Sequence, residues 1–202
     1  MEFNIEWLEK AAEIESRGDW REMLKFCSEW KIAEPSNHMA WQGVGDALSE
    51  FGKFEIAISM YEGALKLAPQ KPVDFFGMTM STAPLWYRIG NAYNKLKQYD
   101  MAISAFRNAI GVDPAPAVYW NNLGVAYADK GDINESVEAF RMAAKIEPQN
   151  MNFLRNTGIM YARQGMESEV MKIYNDLAIF SLDFADDYLL NAKKTLAELR
   201  AK

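Results

Sequence analysis

The sequence predicts an all-α chain built from tandem pairs of antiparallel helices, and three observations predict it. Segments that align without gaps recur at a spacing of 34 residues. Within each segment apolar residues stand three and four apart, the spacing of one helix face; Trp86, Ile89 and Tyr93 are one such row, and Ala102, Phe106 and Ala109 another. Glycine and proline fall at fixed places between the rows, where they end helices. A period of this length marks an array whose units bury their apolar faces against one another.

The elements follow in order. "WLEKAAEIESRGDWREMLKFCSEWKIAEP" from Trp7 opens a first, looser repeat over 4–37, and "WQGVGDALSEFGKFEIAISMYEGALKLAP" from Trp41 the second, over 38–71. "WYRIGNAYNKLKQYDMAISAFRNAIGVDP" from Trp86 belongs to a third over 83–116, and "WNNLGVAYADKGDINESVEAFRMAAKIEP" from Trp120 to a fourth over 117–150. A fifth, looser again, covers 151–184. Small residues at the eighth place (Ala11, Gly45, Gly90, Gly124, Gly158) let the paired helix approach. Gly18, Gly52, Gly131 and Gly165 supply the left-handed residue that stops the first helix. In the middle repeats two places of the second helix are small: Ala57/Ala64, Ala102/Ala109, Ser136/Ala143. The ends instead hold Met23/Trp30 and Val170/Leu177, as terminal repeats of an array do. Tyr188, Ala192 and Thr195 keep the first-helix phase, so 185–202 is expected to be an unpaired capping helix, started by Asp183 or Asp186. With that cap the chain from Met1 to Lys202 reads as complete.

One stretch breaks the phase. Trp41 to Trp86 spans 45 residues, so 11 extra residues, 72–82, lie between the second and third repeats. This insertion, "PVDFFGMTMST", shows neither helical nor strand rhythm and carries Phe75, Phe76, Met78 and Met80. Two roles are open to it: packing over the repeat junction, or forming a lid or interface.

These residues resemble the tetratricopeptide repeat (TPR) family, whose pattern is a large residue, a Leu-Gly pair, a Tyr, a small residue, an aromatic and a Pro at fixed offsets. Repeat 117–150 matches with Trp120, Leu123, Gly124, Tyr127, Ser136, Phe140 and Pro148. Repeat 83–116 matches with Trp86, Ile89, Gly90, Tyr93, Ala102, Phe106 and Pro114, and repeat 38–71 with Trp41, Val44, Gly45, Leu48, Ala57, Tyr61 and Pro69. The resemblance implies a right-handed superhelical solenoid of about five helix-turn-helix repeats plus a C-terminal capping helix, forming a single domain over 1–202.

Chemistry of other kinds finds little support. One histidine, His38, at a repeat boundary, reads as a turn residue, and one cysteine, Cys27, as a buried filler; neither metal site nor disulfide can be assembled from them. "RGD" at Arg17–Asp19 reads as the first inter-helix turn, and "GVG" at Gly43–Gly45 lacks the strand and third glycine of a phosphate loop. No enzyme, cofactor or metal is expected. The net charge of −6 without a basic tract speaks against nucleic acid, and no apolar run is long enough for a bilayer. An acidic start and a single cysteine point away from export and to the cytoplasm. Residues 1–71 hold 13 acids and 8 bases, a net of −5, so the front end is the more acidic part.

The resemblance further implies that the first helices line a concave groove. Leu8, Glu9 and Ala12, then Gln42, Gly43 and Asp46, would line its front. Tyr87, Arg88, Asn91 and Lys95 would follow, then Asn121, Asn122, Asn152, Arg155, Asn156 and Arg163. Amides suit a peptide backbone and cations suit carboxylates. The expected function is therefore a protein–protein interaction scaffold or adaptor, chaperone-like, holding an extended acidic peptide. The alternative is a structural, self-assembling subunit, a homo-oligomer whose groove is unused. A chaperone-tail clamp of the family is not expected: its two asparagine places are matched by Asn91 and Asn122, but Tyr87, Asn152 and Asn156 stand where its three cations would be. Only Asn122 and Asn156 continue the family's asparagine ladder.

Overall fold

The computed structural model describes residues 5–69, 73–75 and 78–201. Among them eleven helices and one hairpin follow in order. They are α1 (Ile5–Arg17), α2 (Trp20–Ala33), α3 (His38–Glu50), α4 (Phe54–Leu67), β1 (Val73–Phe75), β2 (Met78–Met80), α5 (Ala83–Lys95) and α6 (Tyr99–Val112). Then come α7 (Ala117–Lys130), α8 (Ile133–Ile146), α9 (Met151–Arg163), α10 (Glu167–Phe180) and α11 (Leu182–Arg200). They gather into two compact units, Met1–Val112 and Asp113–Lys202. Within each unit every helix packs on the next, the pairing of a TPR solenoid.

Tight joints make the pairs. The four glycines between paired helices all have positive φ, from 67° at Gly18 to 100° at Gly131. At Gly131 the left-handed residue lets its N–H and that of Asp132 turn back onto the carbonyl of Tyr127, satisfying the end of α7. "RGD" forms the first of these joints: Asp19 caps α2 by accepting the N–H of Glu22 at 3.0 Å, and Arg17 pairs with Glu22 at 2.9 Å.

The paired helices meet where the first helix has no side chain. A Cβ on Gly45, Gly90 or Gly124 would lie within 2.8 Å of the Tyr61, Phe106 or Phe140 ring of the partner helix. The last pair differs, since Gly158 faces Tyr188 of α11 instead. Tyr188 is fully buried and donates to the carbonyl of Val170 at 3.1 Å. Helix α11 thus covers both α9 and α10, and Val170 and Leu177, large where the middle repeats are small, are buried beneath it. At the other end Trp30 fills its place by stacking on Trp7 at 5.8 Å.

Three expectations are corrected. The last helix starts at Leu182, ahead of 185, and its cap is Ser181, whose Oγ accepts the N–H of Phe184; Asp183 and Asp186 lie inside the first turns. His38 is no turn residue: it is the buried first residue of α3, behind the Asn37 cap. The 72–82 insertion is not irregular, because β1 and β2 pair antiparallel with Val73 opposite Met80, Asp74 opposite Thr79 and Phe75 opposite Met78. Phe76, named above with the insertion's other apolar residues, lies outside the described residues.

Candidate functional site

In the second unit, helices α7, α9 and α11 surround a cleft of about 560 Å³. Arg155, Asn156 and Asp129 stand on its walls with Lys194, Thr195 and Glu198 of α11, over an apolar floor of Val125, Ile159 and Met160. Asn156 donates an amide hydrogen to Asn121 at 2.9 Å, and Asn121 donates in turn to Asn122 at 3.1 Å. The three amides form an oriented chain, in which the second hydrogen and the carbonyl of Asn156 bond no other group among the described residues. Arg155 lies over the Phe184 ring, 5.7 Å from its centroid, and makes no salt bridge among the described residues. Arg163 is exposed and donates to the carbonyl of Ala128, in the last turn of α7, where a cation opposes the helix dipole. Asn152 is exposed at the start of α9.

In the first unit Asp46 is a hub. Its Oδ1 accepts Arg88 Nε at 2.7 Å and the Tyr61 hydroxyl at 2.9 Å. Burial alone would lower the Arg88 pKa, but the Asp46 carboxylate beside it raises it above the ordinary value. Burial, reinforced by the charge of Asp46, pushes the Tyr61 phenol far up. These groups, with Glu15, Glu50, Tyr87 and Asn91, line a smaller cleft of about 290 Å³. Lys95 is exposed at the end of α5. Cys27 is fully buried, and burial, with Asp46 adding, pushes its thiol up to about 12, so it stays neutral and unreactive. Among the described residues no cluster of His, Cys, Asp and Glu is placed to hold a metal.

Family profiles described as the tetratricopeptide repeat match residues 83–116 and 117–150, and another of the same description matches 40–71. This chain belongs to the tetratricopeptide repeat family. TPR folds also head the similar solved structures. MamA from Desulfovibrio magneticus RS-1, residues 41 to the end, superposes with a TM-score of 0.73 at 22% identity, covering 90% of this chain and 95% of that one. YrrB, a TPR protein with an unusual peptide-binding site, gives 0.69 at 19% identity over 93% and 90%. Another MamA crystal structure gives 0.67 at 18% over the full length of both. At these identities the likeness is one of fold. A search of curated protein sequences finds no match.

Repeats of the TPR family build protein–protein interaction scaffolds, and this chain carries such a scaffold. The second unit brings Asn121, Asn122, Asn156 and Arg155 together; the first brings Tyr87, Arg88 and Asn91 to one cleft, with Arg88 already neutralised by Asp46. Sequence reasoning left out α11, which supplies Lys194, Thr195 and Glu198 as a cleft wall. The signal was present: a helix that keeps first-helix phase faces the same way as other first helices. Among the described residues no helix is long and apolar enough to cross a membrane.

Proposed function

We propose that this chain is a non-catalytic, chaperone-like adaptor of the cytoplasm that holds an extended acidic segment of a protein partner. The observation that carries this is the oriented amide chain Asn156–Asn121–Asn122 beside Arg155, which forms no salt bridge among the described residues. A peptide backbone needs donors and acceptors in alternation, which Asn156 offers, and a carboxylate needs a planar donor such as Arg155. Asn152 and Arg163 would extend this surface along α9; in the first unit Tyr87, Asn91 and Lys95 would offer a contact of their own from α5. Arg88 would serve by fixing Asp46 and the wall around it. A single buried thiol suits a reducing compartment.

The test is an array of extended acidic, neutral and basic peptides, probed with the wild type and with Arg155→Gln/Asn156→Ala. Acidic peptides should be retained, should weaken with salt because the cation is solvent-accessible, and should fall about tenfold in the variant while its melting temperature holds. Retention indifferent to both charge and the variant would overturn the proposal.

One observation favours a second role, self-assembly. The hairpin is a two-stranded sheet with unpaired outer edges among the described residues, and Val73 at its start is 48% exposed. Phe75, Phe76, Met78 and Met80 would then form an interface or lid. Sedimentation at several concentrations decides: a dimer abolished by Phe75→Ser/Phe76→Ser supports it, and a strict monomer removes it.

A further inference from the structure

The first unit holds a different concavity, which the acidic-segment proposal does not use. A cavity of about 330 Å³ opens between α1, α2 and α3. Its walls are Leu8, Trp20, Met23 and Met39, and its floor is Cys27 and Trp30. The floor is fixed. Trp30 stacks on Trp7 and donates its indole N–H to Glu34 at 3.0 Å, and Gly43 lies so close to Cys27 that any side chain there would collide with the sulfur. The two methionines give the walls some adaptability. At this volume the cavity is at the small end of ligand pockets, with room for one large side chain.

The mouth is acidic. Glu15 and Asp46 border both this cavity and the adjoining cleft, where Glu50 and Arg88 also stand. Arg88 and Asp46 neutralise each other, leaving Glu15 and Glu50 exposed and in no salt bridge among the described residues. The first 71 residues repeat this bias at larger scale, with a net charge of −5.

We propose that this cavity takes one aromatic or large aliphatic side chain of a partner peptide, with a lysine or arginine beside it lying against Glu15 and Glu50. The apolar walls match the first group, and the charge at the mouth matches the second. The preference is opposite in sign to that proposed for the second unit and shares no residue with the Asn156–Asn121–Asn122 chain or Arg155, so either can fail without the other.

The test uses fluorescein-labelled pentapeptides carrying Phe-Lys, Phe-Glu or Ala-Lys at their centre, titrated against the full chain by anisotropy. Phe-Lys should bind about tenfold more tightly than either of the others. Ala12→Phe, which fills the exposed edge of the mouth, should abolish the difference between Phe-Lys and Ala-Lys. Glu15→Gln/Glu50→Gln, two exposed changes that leave the core intact, should abolish the difference between Phe-Lys and Phe-Glu. Equal binding of Phe-Lys and Ala-Lys to the wild type would overturn the cavity assignment, and equal binding of Phe-Lys and Phe-Glu the role of the rim. A concentration-dependent dimer that blocks every peptide would overturn both, in favour of a second copy of this chain as occupant.

Discussion

Lys97 adopts a φ of 58° at the joint between α5 and α6, the place where the other four helix pairs have glycine. A side chain there crowds the neighbouring carbonyl, a strain glycine does not feel. Lys97→Gly should therefore raise the free energy of unfolding by about 1 kcal/mol, the strain relieved slightly exceeding the extra entropy of the unfolded glycine. Urea titration reads this directly, and an unchanged midpoint would show that the strain does no more than offset that entropy. His38 makes a prediction in pH. Burial lowers its pKa below 6.5, and its place at the start of α3 further disfavours a cation. Below pH 6.5 the unfolded chain therefore takes up a proton that the folded chain resists, so stability is full above 6.5 and declines as the pH falls toward the lower, folded value. Between pH 7.5 and 5.5 the wild type should lose more in melting temperature than His38→Gln, which has no such proton to gain.

Helix ends and strands show how much the sequence could disclose about single elements. Ser181 caps α11 through Phe184, so Ser181→Ala should cost about 1 kcal/mol, and Asp183→Ala, which loses only a favourable charge in the first turn, about half of that or less. Thermal melts of the two variants separate the roles; an equal loss would move the cap. The helix itself was legible because Tyr188, Ala192 and Thr195 keep the array's phase. Its start was not, because Ser, Asp and Asp follow within six residues and all cap well; packing of Phe184 and Ala185 onto α10 chose the serine. The hairpin failed for a related reason. Val73, Phe75, Met78 and Met80 do alternate with Asp74 and Thr79, but each arm has three residues, shorter than the run over which alternation becomes distinct. Similarly, the candidate site was legible as a list of positions facing one way. The Asp46–Arg88 pair was not, since it joins residues 42 apart whose meeting depends on side-chain reach across two repeats.

At the scale of the molecule, stability in a repeat array is a sum of units and nearest-neighbour interfaces, so damage should stay where it is made. The second unit offers a clean case. Tyr188 is fully buried, lies on Gly158 of α9 and bonds to Val170 of α10, so one side chain joins three helices. Tyr188→Ala removes that ring and leaves the seam beside Gly158 unfilled, at a cost of about 3–5 kcal/mol. The first unit keeps cores of its own, around Ile14, Cys27, Trp30 and Val44 and again around Tyr61, Leu85 and Ile89. Hydrogen exchange should then show lost protection in α9, α10 and α11 while α2, α3 and α4 exchange at the wild-type rate, with unfolding broadened into two transitions. Uniform loss across both units would mean that the chain unfolds as one cooperative block. Because the cleft that holds Arg155 and Asn156 uses α11 as a wall, the same variant should abolish acidic-peptide retention and spare the Phe-Lys peptide, making the two proposed surfaces separable by a single substitution.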